Sequence, residues 1–163
     1  MPQNSVRAMG KINKPIGPLI NEVKCLVDSG QNVLLPVNGR SMLPFIIGGR
    51  DSVELHAIGD SGIHIGDVVL AIAVEKRYVI HRVVKIEGDN ITLEGDGNIN
   101  LREHCSTSDI IAQAVSVADR KGHRHSLVSR RAIMKWKVWH FLSPIRLWLL
   151  RFYKLCRIFG MHG

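Results

Sequence analysis

Between residues 31 and 119 the chain alternates short apolar segments with turns rich in Gly, Asp and Asn. In residues 52–57, for example, Val53 and Leu55 alternate with polar neighbours, which is the period of a strand with one buried face. Short strands joined by such turns favour an antiparallel, mainly β domain. We predict strands at residues 32–37, 52–57, 68–74, 78–86, 91–94 and 109–118.

The segments on either side of this β domain differ from it. Apolar residues with a helical period predict a short helix over residues 18–28, which ends at Gly30. We divide the chain into an N-terminal segment (1–30), the β domain (31–119), a polar linker (120–129) and a C-terminal tail (130–163). Residues 1–10 lack the apolar run of a signal peptide, and no apolar run reaches the length of a spanning helix.

The net charge of +8 is confined to the C-terminal tail. Residues 1–128 contain fourteen Lys or Arg and fourteen Asp or Glu, whereas residues 129–163 contain eight Lys or Arg and no acid. All three tryptophans, Trp136, Trp139 and Trp148, lie there too. Basic residues interleaved with large apolar ones predict amphipathic helices that contact a membrane surface rather than nucleic acid. The alternative is that these helices pack on their own domain or on a partner subunit.

The cysteines and histidines predict no cofactor. Cys25, Cys105 and Cys156 are widely spaced, so they indicate neither a disulfide framework nor a zinc site. The histidines show no ligand spacing, and the chain has no phosphate-binding GxxxxGK[ST] motif. We therefore expect no metal and no other cofactor.

Three segments carry the residue types of an acyl-transfer site. Ser41 lies in a Gly- and Pro-framed turn (residues 39–44, GRSMLP), His81 lies in an apolar strand (78–84, YVIHRVV), and Asp96 lies in a Gly-rich turn (95–98, GDGN). A serine hydroxyl becomes nucleophilic when a base takes its proton, and a carboxylate orients that base. Taken singly, each residue is more ordinary: a surface serine, a core histidine and an Asx turn.

Together with RDSV (50–53) and GDVV (66–69), these segments resemble, in content and order, the signal peptidase clan, which also holds the LexA-type self-cleaving repressors. The similarity spans residues 31–119. It implies a signal-peptidase-like or LexA-like β fold with Ser41 as nucleophile and His81 as general base, as in the histidine-type signal peptidases.

The resemblance also implies roles for neighbouring residues. Asp96 is the preferred acid for orienting His81, with Glu103 as the other candidate. Backbone groups near Ser41 would form the oxyanion hole, since Gly39 replaces a hydroxyl residue found in lysine-type relatives. Residues implied in oxyanion stabilisation and substrate binding are Gly39, Arg40, Met42 and Leu43, although Met42 is equally compatible with a purely structural role.

From these features we expect a serine endopeptidase that cleaves an extended polypeptide. We expect it to be peripheral at the cytoplasmic face of a membrane, or else cytoplasmic. Two alternatives remain. One is a LexA-type self-cleaving regulator without its DNA-binding domain, and the other is a non-catalytic peptide-binding module at a membrane. The sequence leaves the oligomeric state open.

Overall fold

A computed structural model describes residues 6–8, 16–98, 101–142, 145 and 148. Within these residues it contains two helices, α1 (Ile16–Asp28) and α2 (Arg130–Phe141). The strands are β1 (Val6–Ala8), β2 (Asn32–Pro36), β3 (Ser52–His56), β4 (Val68–Ala73), β5 (Arg77–Glu87), β6 (Asn90–Glu94), β7 (Arg102–Ser106), β8 (Ile110–Ala118) and β9 (Arg124–Ser126). The prediction of a mainly β fold is therefore confirmed.

The strands form one sheet in the order β1-β2-β3-β8-β4-β5-β6-β7, and β9 also pairs with β8. All described pairings are antiparallel except that of β1 with β2. Strands β4 to β7 follow one another as a meander, so His81 on β5 lies opposite Val69 on β4. Further along, Leu93 on β6 lies opposite Glu103 on β7. This register brings residues that are distant in sequence close to His81.

The six predicted strands are all present, and three further strands were not predicted. Strand β9 lies within residues 120–129, which the sequence analysis treated as a linker, and its register pairs Ser126 with Ser116. Strand β7 is short and largely polar in sequence, yet Glu103 and Cys105 on it are buried. Because most of its residues are polar, the strand shows no apolar alternation in the sequence. It carries Glu103, which belongs to the candidate site.

Helix α1 closes the main hydrophobic core. Leu19, Ile20, Val23 and Val27 fall on one face of the helix and are all buried. They pack in the same cluster as the sheet residues Val33, Leu55 and Leu70. The predicted N-terminal helix is thus present, and it begins two residues earlier than the sequence pattern indicated.

Helix α2 is capped by Ser129, whose side chain accepts a hydrogen bond from the backbone N–H of Ala132. Such N-caps satisfy a donor that the first helical turn leaves unpaired. The part of the predicted amphipathic tail that follows residue 142 falls almost entirely outside the described residues. In the part of the chain that is described, no helix combines the length and the hydropathy needed to cross a membrane.

Candidate active site

Ser41 lies in a tight turn that follows β2. Gly39 has a φ of +91°, a left-handed conformation that residues with a Cβ rarely adopt. The turn continues with backbone hydrogen bonds from Phe45 and Ile46 to the carbonyl of Met42, and the peptide bond between Leu43 and Pro44 is cis. Ser41 itself is half-buried. The turn therefore presents the hydroxyl at the surface of a fixed scaffold.

The turn formed by residues 95–98 packs directly against the serine turn. The backbone N–H of Gly97 donates to the carbonyl of Ser41 over 2.6 Å. A Cβ on Gly95 would collide with the backbone of Ser41, so only glycine fits at this contact. The GDGN segment of the sequence analysis thus supports the serine turn through its backbone.

His81 is paired with a carboxylate, but that carboxylate belongs to Glu103. His81 Nδ1 lies 2.7 Å from Glu103 Oε2, and the two side chains are only 7% and 5% exposed. The distance is that of a close ion pair, but within the described residues neither atom meets the geometry of a hydrogen bond, either to the other or to a further group. The second carboxylate oxygen of Glu103 accepts a hydrogen bond from Arg77. The arrangement leaves Nε2 as the ring nitrogen available for proton transfer.

The preference for Asp96 as the acid that orients His81 is wrong in this structure. Its carboxylate accepts hydrogen bonds from Nε and Nη2 of Arg82 at 2.8–3.2 Å, and both side chains are 2% exposed. Arg82 follows His81 on β5 and therefore points to the other face of the sheet. Asp96 lies on that face and neutralises a buried guanidinium.

Ser41 and His81 line one cleft with a volume of about 350 Å³. One wall follows the end of β2 and the serine turn, and the other follows residues 78–81 of β5. The remaining lining is mostly apolar and includes Leu19, Ile20, Leu35, Ile46, Leu70 and Ile80. No Asp, Glu, Lys or Arg is among the described residues that line it. The cleft therefore combines one hydroxyl and one imidazole with apolar walls.

The four residues implied in oxyanion stabilisation or substrate binding are divided between two locations. Gly39 and Met42 line the cleft, and Met42 is also buried in the main core, so its position is compatible with both of the roles considered for it. Leu43 does not line the cleft. It packs behind the turn with Ile47 and Trp139. Arg40 is exposed and is not part of the cleft lining either.

Backbone donors are available beside Ser41. Among the described residues, the N–H groups of Ser41 and Met42 have no hydrogen-bond acceptor, whereas that of Leu43 donates to the carbonyl of Arg40. Free N–H groups next to a nucleophile are the usual material of an oxyanion hole. The serine turn thus supplies such donors without a side-chain hydroxyl at residue 39.

Helix α2 packs against the turns that form the site. Trp139 donates its indole N–H to the carbonyl of Asp96 over 2.8 Å and meets Phe45 edge-on. Trp136 is buried, with the guanidinium of Arg82 5.3 Å from its ring centroid. The two tryptophans assigned to a membrane-facing side therefore pack on their own domain, which was the stated alternative.

Within the described residues, no group of three or more His, Cys, Asp or Glu side chains is placed to bind a metal ion. The arrangement at Ser41 instead consists of a hydroxyl, an imidazole and a carboxylate. No protein-family model matches the chain, and no curated protein sequence matches it either. The functional argument consequently depends on the geometry of the site and on the motif resemblance.

Proposed function

We propose that this protein is a serine endopeptidase of the signal-peptidase type. Ser41 is the nucleophile, His81 the general base, and Glu103 the positioning residue that orients the imidazole. The observation that carries the proposal is that Ser41 and His81 line the same cleft while His81 Nδ1 is paired with a buried carboxylate. The order and local sequence of the motifs support the same assignment.

The proposed reaction has two steps. His81 Nε2 takes the proton of Ser41 as its oxygen attacks a peptide carbonyl, and the same proton passes to the amine as the C–N bond breaks. Water then attacks the acyl-enzyme, again with His81 as the base, which releases the acid and regenerates Ser41. The N–H groups of Ser41 and Met42 stabilise the oxyanion in both steps, and Glu103 stabilises the imidazolium.

The walls of the cleft favour an extended peptide with apolar or small side chains next to the scissile bond. Backbone from the end of β2 and from β5 flanks Ser41 on two sides, which suits strand addition by the substrate. Burying a charged substrate side chain against Leu35, Ile46 and Leu70 would cost several kcal/mol without a partner (about 2 to 7 for a polar group). We therefore expect charged residues to be excluded from the position that these side chains contact.

The test is incubation of the purified protein with a diverse peptide library, followed by mass spectrometry of the products. Ser41→Ala and His81→Ala should abolish every cut made by the wild type. The matched controls are Ser61→Ala and His125→Ala, which alter the same residue types at exposed positions. Cuts that persist in Ser41→Ala would refute the assignment of the nucleophile.

A peptide-binding module remains the second candidate, because Gly39 offers no side-chain donor to the oxyanion. Peptides that are retained by the wild type and by Ser41→Ala alike, with no cleavage in either, would favour this candidate. Cleavage by the wild type alone would exclude it.

A further inference from the structure

Helix α2 has an outer face whose large apolar residues remain exposed. Met134, Val138 and Phe141 are 61%, 55% and 84% exposed. At about 100° per residue they fall within an arc of about 60°. Further along the chain, Ile145 and Trp148 are also exposed. Scattered apolar residues on a surface are ordinary, but an aligned group indicates a binding surface.

Lysines and arginines flank this group on both sides. On the same helical wheel Arg130 and Lys137 border one side of the arc, and Arg131 and Lys135 border the other. All four are exposed, and residues 120–163 contain no Asp or Glu. We define the α2 outer face as Met134, Val138 and Phe141 together with these four cations.

The orientation of this face is fixed by the opposite side of the helix. Trp136 packs against Gly66 and Arg82, and Trp139 is bonded to the carbonyl of Asp96. With these two side chains held against the domain, the arc that contains Phe141 points away from it. Rotating the helix to bury Phe141 would expose Trp136 and break both contacts, so packing on its own domain does not account for the α2 outer face.

We propose that the α2 outer face is a docking surface for an anionic lipid bilayer. Insertion of Met134, Val138 and Phe141 into the acyl boundary buries their apolar area, and the flanking cations meet lipid phosphates. A second copy of the chain fits less well, because two such faces would bring eight cations together without an acid. The positive charge of the α2 outer face therefore favours an anionic bilayer over a second copy of the same face.

The experiment uses the full-length Ser41→Ala protein, so that vesicle binding is measured without peptidase activity. It compares sedimentation with vesicles of phosphatidylcholine alone and vesicles that also contain phosphatidylglycerol. We expect binding only to the anionic vesicles, weakened by salt. The double substitution Val138→Glu, Phe141→Glu should reduce binding more than about ten-fold, and Lys135→Glu with Lys137→Glu should do the same.

The matched control is Val74→Glu, which introduces the same charge at an apolar residue that is 65% exposed and lies outside α2. It should leave vesicle binding unchanged. Because all of the altered α2 residues are exposed, the variants should keep the wild-type circular dichroism spectrum.

Three results would overturn the proposal. The first is equal binding to neutral and anionic vesicles. The second is unchanged binding by the Val138→Glu, Phe141→Glu variant, which would place the lipid contact elsewhere. The third is a concentration-dependent dimer, detected by light scattering, that the same substitutions dissociate in a protein that binds no vesicles. None of these results depends on whether Ser41 is catalytic, so this proposal and the proposed function fail independently.

Discussion

Adjacent residues of β5 place two base–carboxylate pairs on opposite faces of the sheet. The pair of His81 and Glu103 is joined at one 2.7 Å contact and borders the cleft. The pair of Arg82 and Asp96 is joined by three hydrogen bonds of 2.8–3.2 Å, and Arg82 donates a further bond to the carbonyl of Gly66. The two pairs contain similar chemical groups, yet one borders the cleft and the other is enclosed in the protein.

The difference lies in which atoms remain available. Arg82 is enclosed by its acid, by the carbonyl of Gly66 and by the rings of Phe45 and Trp136, so these contacts serve the packing of the fold. His81 keeps one ring nitrogen free of the carboxylate and borders the cleft that contains Ser41. An imidazole with one fixed and one available nitrogen is suited to proton transfer. The comparison predicts that stability and activity can be separated by substitution.

The largest effect should follow loss of the enclosed cation. Arg82→Met keeps much of the side-chain volume but removes three hydrogen bonds and the opposite charge from the buried Asp96 carboxylate, which costs about 3–5 kcal/mol of unfolding free energy. Urea denaturation followed by tryptophan fluorescence measures this loss. The same measurement on His81→Ala should show a much smaller change. Equal losses in the two variants would contradict the comparison.

Removing the charge of each carboxylate should separate the two functions. In the proposed peptidase, Glu103→Gln should lower kcat by roughly 100-fold or more while KM changes little, because the imidazole loses its orienting charge. Asp96→Asn should instead lower the denaturation midpoint and retain most of the activity of the folded protein. The reverse pattern would show that Asp96 orients the base.

Glu54 is a third buried carboxylate, and its partners, unlike those of Asp96, are partly exposed. Glu54 accepts hydrogen bonds of 2.7 Å from Ser116 and from Arg124. Burial raises the pKa of Glu54, but these partners and His56 outweigh it, so the pKa lies below the ordinary value of 4.5. The cluster therefore stabilises the fold fully above pH 4.5, and this stabilisation disappears as the pH falls through the folded-state pKa.

Ser116→Ala should accordingly cost about 1 kcal/mol at neutral pH, because one hydrogen bond to the Glu54 carboxylate is lost. The difference from the wild type should shrink in acid, once Glu54 is protonated in both proteins. Thermal unfolding at a series of pH values measures it. A difference that grows below pH 4.5 would contradict the lowered pKa.

The smallest effect concerns the thiol beside Glu103. Burial, with the charges of Asp109, Asp89 and Glu103, raises the pKa of Cys105 to about 11. At pH 8 iodoacetamide should therefore modify the exposed Cys25 and spare Cys105 in the native protein. Peptide mapping by mass spectrometry distinguishes the two. Glu103→Gln removes one of the raising charges and should slightly accelerate labelling of Cys105.

The strands that form the core were predictable because their alternation is strong. Val53 and Leu55 are fully buried as the period of two required, although Glu54 between them is buried as well. Glu103 was harder to assign because β7 has the sequence REHCS, which offers only Cys105 as an apolar marker. The buried face of β7 becomes evident only when Leu93 and Ile91 are placed opposite it.

The error over Asp96 has a physical explanation. A Gly-rich turn places an acid close to the serine turn, and that proximity is real, since Gly97 bonds to the carbonyl of Ser41. Proximity of the backbone does not decide where the side chain points. The alternation of β5 places Arg82 on the face opposite His81, and a buried arginine requires an acidic partner. These two considerations together identify Asp96 as the partner of Arg82.

The tail shows the same limit of a one-dimensional pattern. The sequence identified the amphipathic character of residues 130–142, yet it did not decide which apolar residues face the domain. The two larger rings of α2, Trp136 and Trp139, face the domain, where they fill the space next to Arg82 and Leu43. Phe141 was left outside.

The adjacency of His81 and Arg82 also constrains how the gene can change. A substitution at either residue alters one face of the sheet and leaves the other in place. A one-residue insertion or deletion within β5 shifts its pairing with β4 and β6, and would send His81 to the face of Asp96 and Arg82 to the face of Glu103. Among variants of this protein, β5 should therefore tolerate changes of residue far more readily than changes of length.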